Sequence, residues 1–133
     1  MSKIIKTLIL IIIFSLSGCG GNVKNVNIND VESEYYTSKE INSAIETIIK
    51  QFDKEWDGCT LNEIYYAGDS MSKDYQDWAD RNNADEVIVL LSSFEVDSSG
   101  GDGSLNPNST YDGWLWILVR NTDGQWKHVD HGY

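Results

Sequence analysis

The clearest periodic pattern in the chain predicts an amphipathic helix directly after Thr37. Its apolar residues recur every three or four positions and form one stripe on a helix of about five turns. They are Ile41, Ala44, Ile45, Ile48, Ile49, Phe52 and Trp56. Thr37 and Glu40 fit a capping box, and Tyr36 and Ile41 fit the flanking hydrophobic staple. Gly58 is placed to end the helix, and we expect the stripe to pack against a sheet.

The residues after this helix predict a short strand and a second helix. Residues 59–67 are predicted to be extended. Ser70 is predicted to cap a helix that ends at Asn82-Asn83. The apolar face of this second helix holds Met71, Tyr75, Trp78 and Ala79.

Three strand-like runs complete the chain. They cover residues 86–97, 111–121 and 125–132. A tight turn at Thr122-Asp123-Gly124 joins the last two runs. Residues 87–91 and 114–119 are apolar at odd and even positions, so both faces of these strands are expected to be covered. The element order predicts an α+β fold in which two helices pack on a curved antiparallel sheet.

The N-terminal residues have the pattern of a bacterial export signal. Lys3 and Lys6 precede an apolar run at residues 8–16, which is too short to span a bilayer as a stable helix. The sequence Leu16-Ser17-Gly18-Cys19 resembles the lipobox of bacterial lipoproteins, in which the cysteine receives a diacylglyceryl group and becomes the first mature residue. Two acyl chains satisfy the rule that stable anchoring needs two membrane signals. The resemblance implies an extracytoplasmic protein anchored to the cell membrane through Cys19.

This pattern divides the chain into three parts. Residues 1–18 are predicted to be the signal peptide, and residues 36–133 are predicted to form a single α+β domain. Residues 19–35 are predicted to be the lipidated cysteine and a flexible tether, because they are polar, with isolated valines and no sustained period.

Charge and cysteine content restrict the partners. The chain has 21 acidic and 10 basic residues and a formal net charge of −11. Such a surface repels nucleic acid and anionic lipid headgroups, so nucleic acid is not an expected partner. If Cys19 carries lipid, Cys59 has no partner for a disulfide, and we interpret it as a small buried hydrophobic residue.

Three segments carry a family resemblance: residues 101–111 (GDGSLNPNSTY), 114–120 (WLWILVR) and 126–133 (WKHVDHGY). They resemble the C-terminal signature of small Gram-positive lipoproteins that carry an uncharacterised domain, domain of unknown function 4829. The resemblance spans about residues 38–133 and implies neither an activity nor a cofactor. The element order also resembles the nuclear transport factor 2-like or cystatin-like cone, in which a pocket can open between helices and sheet. Fold likeness alone does not imply function.

Candidate binding residues lie on the last two strands. Trp114 and Trp116 are interpreted as possible pocket walls. His128 and Asp130 are predicted to share one face of a strand, with Val129 and His131 on the other. A buried His and Asp on one face offer a general base and its proton partner, whereas a structural role through hydrogen bonds is the simpler alternative. No metal site is predicted, because His-x-x-His needs a bulge to bring both imidazoles to one face.

The polar connection at residues 97–111 is longer than an ordinary hairpin loop. Its oxygen-bearing side chains are weak candidates for calcium ligands: Asp97, Asp102, Asn106 and Asn108, followed by Asp112. The EF-hand pattern is absent, because Pro107 stands where that loop requires glycine. An ordered, turn-rich loop is the favoured interpretation.

The sequence carries no catalytic signature. Its five tryptophans and seven tyrosines supply a core and, between helix and sheet, walls for an apolar or sugar-like ligand. We therefore predict a membrane-anchored binding or interaction module, whose partner is a small ligand or an envelope protein. A purely structural envelope protein and a small enzyme that uses His128 and Asp130 are the alternatives.

Overall fold

The computed structural model describes residues 20–133. Its strands are β1 (Asn27–Asn29), β2 (Cys59–Tyr66), β3 (Glu86–Val96), β4 (Thr110–Arg120) and β5 (Lys127–Gly132), and its helices are α1 (Ser38–Glu55), α2 (Asp69–Asp74) and α3 (Gln76–Arg81). The strands form one sheet in the order β1-β2-β3-β4-β5. The predicted α+β class is confirmed, and helices packed on one open sheet are consistent with a cone-like fold. Within residues 20–133, no helix has both the length and the apolar character needed to cross a membrane.

Helix α1 begins where the capping box predicts. The backbone N–H of Glu40 donates to Oγ1 of Thr37 over 3.1 Å, and the N–H of Thr37 donates to the Glu40 carboxylate over 2.9 Å. These bonds satisfy two amide groups that have no partner within the helix. The predicted stripe is buried at Ile41, Ala44, Ile45, Ile48 and Phe52, and only partly buried at Ile49 and Trp56. The helix ends at Glu55, and Gly58 follows at a φ of 73°, in the turn that leads into β2.

The sheet is mixed rather than antiparallel as predicted. Strands β2 to β5 form antiparallel neighbours, but β1 pairs with β2 in parallel. Residues ahead of β1 also lie against β2, since the N–H of Asn22 donates to the Cys59 carbonyl over 2.8 Å. Val23, Val26 and Val31 pack against the core. The prediction of a flexible tether is therefore wrong for residues 20–31, because the isolated valines of this segment hold it against the main core.

The predicted second helix is divided into the short helices α2 and α3. The break is at Tyr75, whose φ and ψ are −104° and 15°. The residue that precedes α2 is Gly68 rather than Ser70, so the predicted cap is wrong. Gly68 has a φ of 104°, and this turn starts the helix before Ser70. Ala79 is buried on the apolar face, as the pattern predicted.

Both faces of the sheet are covered, as the continuous apolar runs predicted. One face packs with α1 in the main core, which includes Ile48, Leu90 and Trp116. The opposite face forms a smaller cluster with α3, which consists of Ala79, Val87, Ile117 and Val119. Neighbouring residues of β3 and β4 thus belong to different clusters, because successive side chains in a strand point to opposite faces.

A charged contact joins the start of α1 to the sheet. The guanidinium of Arg120 contacts the carboxylate of Glu40 and lies 3.2 Å from that of Glu86. It also lies 4.3 Å from the ring centre of Trp126, whose indole N–H donates to the Glu40 carbonyl over 3.1 Å. The hydrogen bond from Arg120 lowers the pKa of Glu40. The N-terminal end of α1 is therefore held to β4 by ion pairing as well as by apolar packing.

Candidate functional site

A β-bulge in β5 decides which of its side chains meet. Ile117 is paired with Asp130, and the next residue of β4, Leu118, is paired with His128. Val129 is the extra residue between these pairs, and it packs against the smaller cluster on the α3 face. One extra residue inverts the alternation of faces on one side of a bulge. The prediction that His128 and Asp130 share a face is therefore wrong, and His128 faces the main core together with His131.

The two histidines form a hydrogen-bonded pair. Their rings stack with centroids 5.2 Å apart, and Nδ1 of His131 lies 3.2 Å from Nε2 of His128. Nδ1 of His128 lies 3.0 Å from Oε1 of Gln51 on α1. Because an amide oxygen only accepts, neutral His128 donates from Nδ1 to Gln51, and its Nε2 accepts from His131. Burial lowers the pKa of both histidines, and the neighbouring His131 lowers that of His128 further.

Tryptophans surround the histidine pair on the α1 side. Trp56 is the residue that follows α1. Its ring centre lies 5.3 Å from that of His131 and 5.1 Å from that of Trp116. Trp114 stacks on His131 with centroids 5.9 Å apart. Trp116 is fully buried, and its indole N–H donates to Oγ of Ser92 over 2.7 Å. Of the two predicted pocket tryptophans, Trp116 thus belongs to the core, and Trp114 lies nearer the surface.

An open cleft of about 310 Å³ adjoins these aromatic rings at the C-terminal end of α1. Its walls are Gln51, Glu55, Trp56, Asp57, Cys59, Gly101, Asp102, Ser104, Leu105, Trp114 and His131. The indole rings and Leu105 form an apolar wall, and three carboxylates and an amide form the polar wall. We refer to this site as the tryptophan cleft. Within the described residues, Nε1 of Trp114 is shielded from solvent and has no hydrogen-bond partner.

The predicted candidates for calcium binding are not gathered into one site. Oδ1 of Asp97 accepts from the N–H and the hydroxyl of Ser99, and Oδ1 of Asp102 accepts in the same way from Ser104. These bonds lower the pKa of both carboxyl groups. The backbone N–H of Asn108 donates to the Asp97 carbonyl over 3.0 Å. The carboxylates of Asp97 and Asp102 thus stabilise local turns of the loop and do not point to a shared site.

The remaining candidates take part in other local contacts. Asn106 contributes its N–H to the Tyr111 hydroxyl and its carbonyl to the Ser109 hydroxyl. Asp112 accepts from the Ser93 hydroxyl over 2.7 Å, across the strand pair. Between residues 20 and 133, no three His, Cys, Asp or Glu side chains come close enough together to hold a metal ion.

Cys59 is a buried free thiol, as the sequence predicted. It is 2% exposed and packs with the main core. Burial, with a smaller contribution from the neighbouring carboxylates of Asp97, Asp102 and Asp57, raises its pKa to about 11. The thiol is therefore protonated at neutral pH and is a poor nucleophile. Cys19, the predicted lipidation site, lies outside the described residues.

Comparison with known proteins gives no relative for this chain. No protein-family model, curated protein or solved structure matches it. The resemblance to small Gram-positive lipoproteins remains a prediction from the sequence.

Of the residues that line the tryptophan cleft, the sequence indicated only Trp114 as a pocket wall, and it missed Gln51, Trp56 and His131 among others. Gln51 and Trp56 were part of a helical pattern, and only the position of Trp56 at the very end of the apolar stripe hinted that its ring extends beyond the core. His131 was assigned to the opposite face. Nothing in the local sequence marks the bulge that moves it, because the bulge is defined by the pairing of β5 with β4.

Proposed function

We propose that the protein is a lipid-anchored, extracytoplasmic binding module whose tryptophan cleft takes a small ligand. The observation that carries the proposal is the cleft itself, whose volume of about 310 Å³ lies in the range of small-molecule sites. Its apolar wall is only partly covered, since Trp56 and Trp114 are both partly buried. The lipobox-like sequence that ends at Cys19 supports the anchoring. A second opening of about 570 Å³ is lined mainly by small and polar residues, without an aromatic wall.

The side chains around the cleft favour a neutral or cationic sugar ring. An indole face packs well on the apolar face of a sugar and also attracts a cation. Glu55, Asp57 and Asp102 contribute negative charge, which adds to the overall excess of acidic residues and disfavours an anionic ligand. Gln51 and Ser104 provide groups that can hydrogen-bond to hydroxyls. An amino sugar satisfies all of these preferences.

The binding test uses the full chain in detergent and three related probes: glucosamine, glucose and glucuronate. Tryptophan emission should change on addition of glucosamine, less with glucose and not with glucuronate. Trp56→Ala should abolish the response. Trp78→Ala is the matched control, because this indole packs on the α3 face beneath Arg81, 4.0 Å from its guanidinium carbon. If wild type and both variants respond alike to all three probes, the cleft is not a sugar site, and a structural or protein-binding role gains support.

The anchoring test replaces Cys19 by alanine. We expect the variant to lose membrane association on cell fractionation, or to persist as an unprocessed precursor, because alanine has no thiol to carry the thioether-linked lipid. Wild-type protein should incorporate labelled palmitate. A wild-type protein that remains unlabelled and is recovered in the soluble fraction would refute lipidation without bearing on ligand binding.

A further inference from the structure

The first described residues are fastened to the C-terminal end of α1. The N–H of Gly21 donates to the carbonyls of Phe52 and Asp53, over 3.2 and 3.1 Å. Both carbonyls belong to the last turn of the helix, and that of Phe52 also accepts from the N–H of Trp56 over 3.1 Å. The next residue, Asn22, forms a parallel bridge with Thr60 at the start of β2. The folded domain therefore includes residues 20–22, which the sequence assigned to a tether.

Glycine is needed at both positions for this close approach. A Cβ on residue 20 would lie 2.0 Å from the Asp53 carbonyl oxygen, and a Cβ on residue 21 would lie 2.4 Å from that of Phe52. The obstacles are backbone atoms of a helix whose Phe52 side chain is fully buried, so they cannot move aside cheaply. Gly21 does not have a positive φ, so at this position the close contact alone accounts for the need for glycine.

We infer that the lipid anchor seats the domain on the bilayer in one orientation, with the C-terminal end of α1 against the lipid surface. This inference rests on the proposed lipidation of Cys19. A trans peptide bond separates consecutive Cα atoms by about 3.8 Å, so no spacer stands between Gly20 and the proposed lipidation site. A flexible tether of the predicted length would instead reach roughly 20 Å and leave the orientation free.

The same end of the molecule carries the tryptophan cleft. Gly20 approaches the carbonyl of Asp53, and the cleft is lined on either side of that residue, by Gln51 and by residues 55–57. Cys59 accepts the hydrogen bond from Asn22 through its carbonyl and also lines the cleft. A docked anchor therefore holds the cleft beside the lipid surface, where a membrane-proximal ligand would be presented to it.

The test measures the distance of two labelled sites from the bilayer. Lys39 and Lys54 are exposed at opposite ends of α1, and 15 residues of helix separate them by about 22 Å. Each is replaced by cysteine in the full lipidated chain and labelled with a fluorophore, while buried Cys59 stays unlabelled. The proteins are placed in phosphatidylcholine vesicles that contain lipid with a nitroxide on its headgroup. We expect the Lys54→Cys label to lose most of its emission and the Lys39→Cys label to lose little.

Two further variants separate docking from simple attachment. A spacer of about ten glycine and serine residues between Cys19 and Gly20 should abolish the difference between the labels, because the domain then tumbles freely. Gly21→Ala should reduce the difference in the same way, whereas Asn25→Ala, an exposed residue of the same segment, should preserve it. Gly21→Ala is checked by circular dichroism, and the spacer variant keeps the test valid if that substitution unfolds the domain.

The outcomes are distinguishable. Equal quenching of the Lys39→Cys and Lys54→Cys labels in vesicle-bound protein, unchanged by the spacer, would overturn the fixed orientation while leaving lipidation intact. Failure of the wild type to bind vesicles or to carry palmitate would refute the proposed anchoring itself.

Discussion

Replacing Ile48 by alanine is the sharpest test of how α1 is held on the sheet. Ile48 lies in the middle of the apolar stripe, is 0% exposed and belongs to the main core with residues of β2, β3 and β4. The substitution removes three buried carbon atoms, which corresponds to about 2.4 kcal/mol at about 0.8 kcal/mol for each group. If a cavity of about 40 Å³ remains, it adds about 1 kcal/mol, so the free energy of unfolding should fall by about 3.4 kcal/mol.

The assay is urea unfolding of the full chain in detergent, followed by circular dichroism. With an m value of about 1.5–2 kcal/mol per M, the midpoint of Ile48→Ala should fall by roughly 2 M. Ile49→Ala, at a half-buried position of the same helix, should lower it less, and Lys50→Ala, at an exposed position, should leave it almost unchanged. Equal midpoints for all three variants would refute the packing of this stripe and would indicate that it faces solvent, lipid or a partner.

Three further predictions concern titration, reactivity and calcium. Burial holds the pKa of His128 and His131 below the unfolded value of about 6.5. The free energy of unfolding should therefore have its full value above about pH 6.5 and decline as the pH falls below it. In His128→Gln the fall in melting temperature with decreasing pH should be smaller than in the wild type. An equal pH dependence in both proteins would contradict this prediction. Cys59 should react with a thiol reagent at neutral pH only after denaturation, and rapid labelling of the native protein would show that its burial is wrong. Millimolar calcium should leave the melting temperature nearly unchanged, because each loop aspartate already accepts two hydrogen bonds; a rise of several degrees that Asp102→Ala abolishes would overturn this expectation.

Several elements were predictable because their signals are local. The capping box and the stripe of α1 lie within about five helical turns, and the helix begins at Ser38 as expected. Strands β3 and β4 have continuous apolar runs, and these correctly indicated burial on both faces. In each case the residues that carry the pattern are also the residues that make the buried contacts.

The elements that were missed lack such a pattern. Strand β1 is exposed at all three of its residues, so no alternation marks it, and its place depends on backbone bonds to β2, more than thirty positions away. The break at Tyr75 falls inside a continuous helical pattern, and tertiary packing decides it. Its half-buried ring packs against the smaller cluster that also contains residues of α3, β3 and β4.

The sequence by itself determined the class of fold, the position of α1 and the excess of negative charge, because periodicity, capping and composition act along the chain. The tertiary structure alone decided the candidate site. The bulge at Val129 places His131 beside His128, the end of α1 brings Gln51 and Trp56 to them, and the turn after residue 100 closes the cleft. It also decided that Gly20 and Gly21 dock on α1. These features join segments that are far apart in sequence, and their geometry depends on pairing and contact distances that no local pattern records.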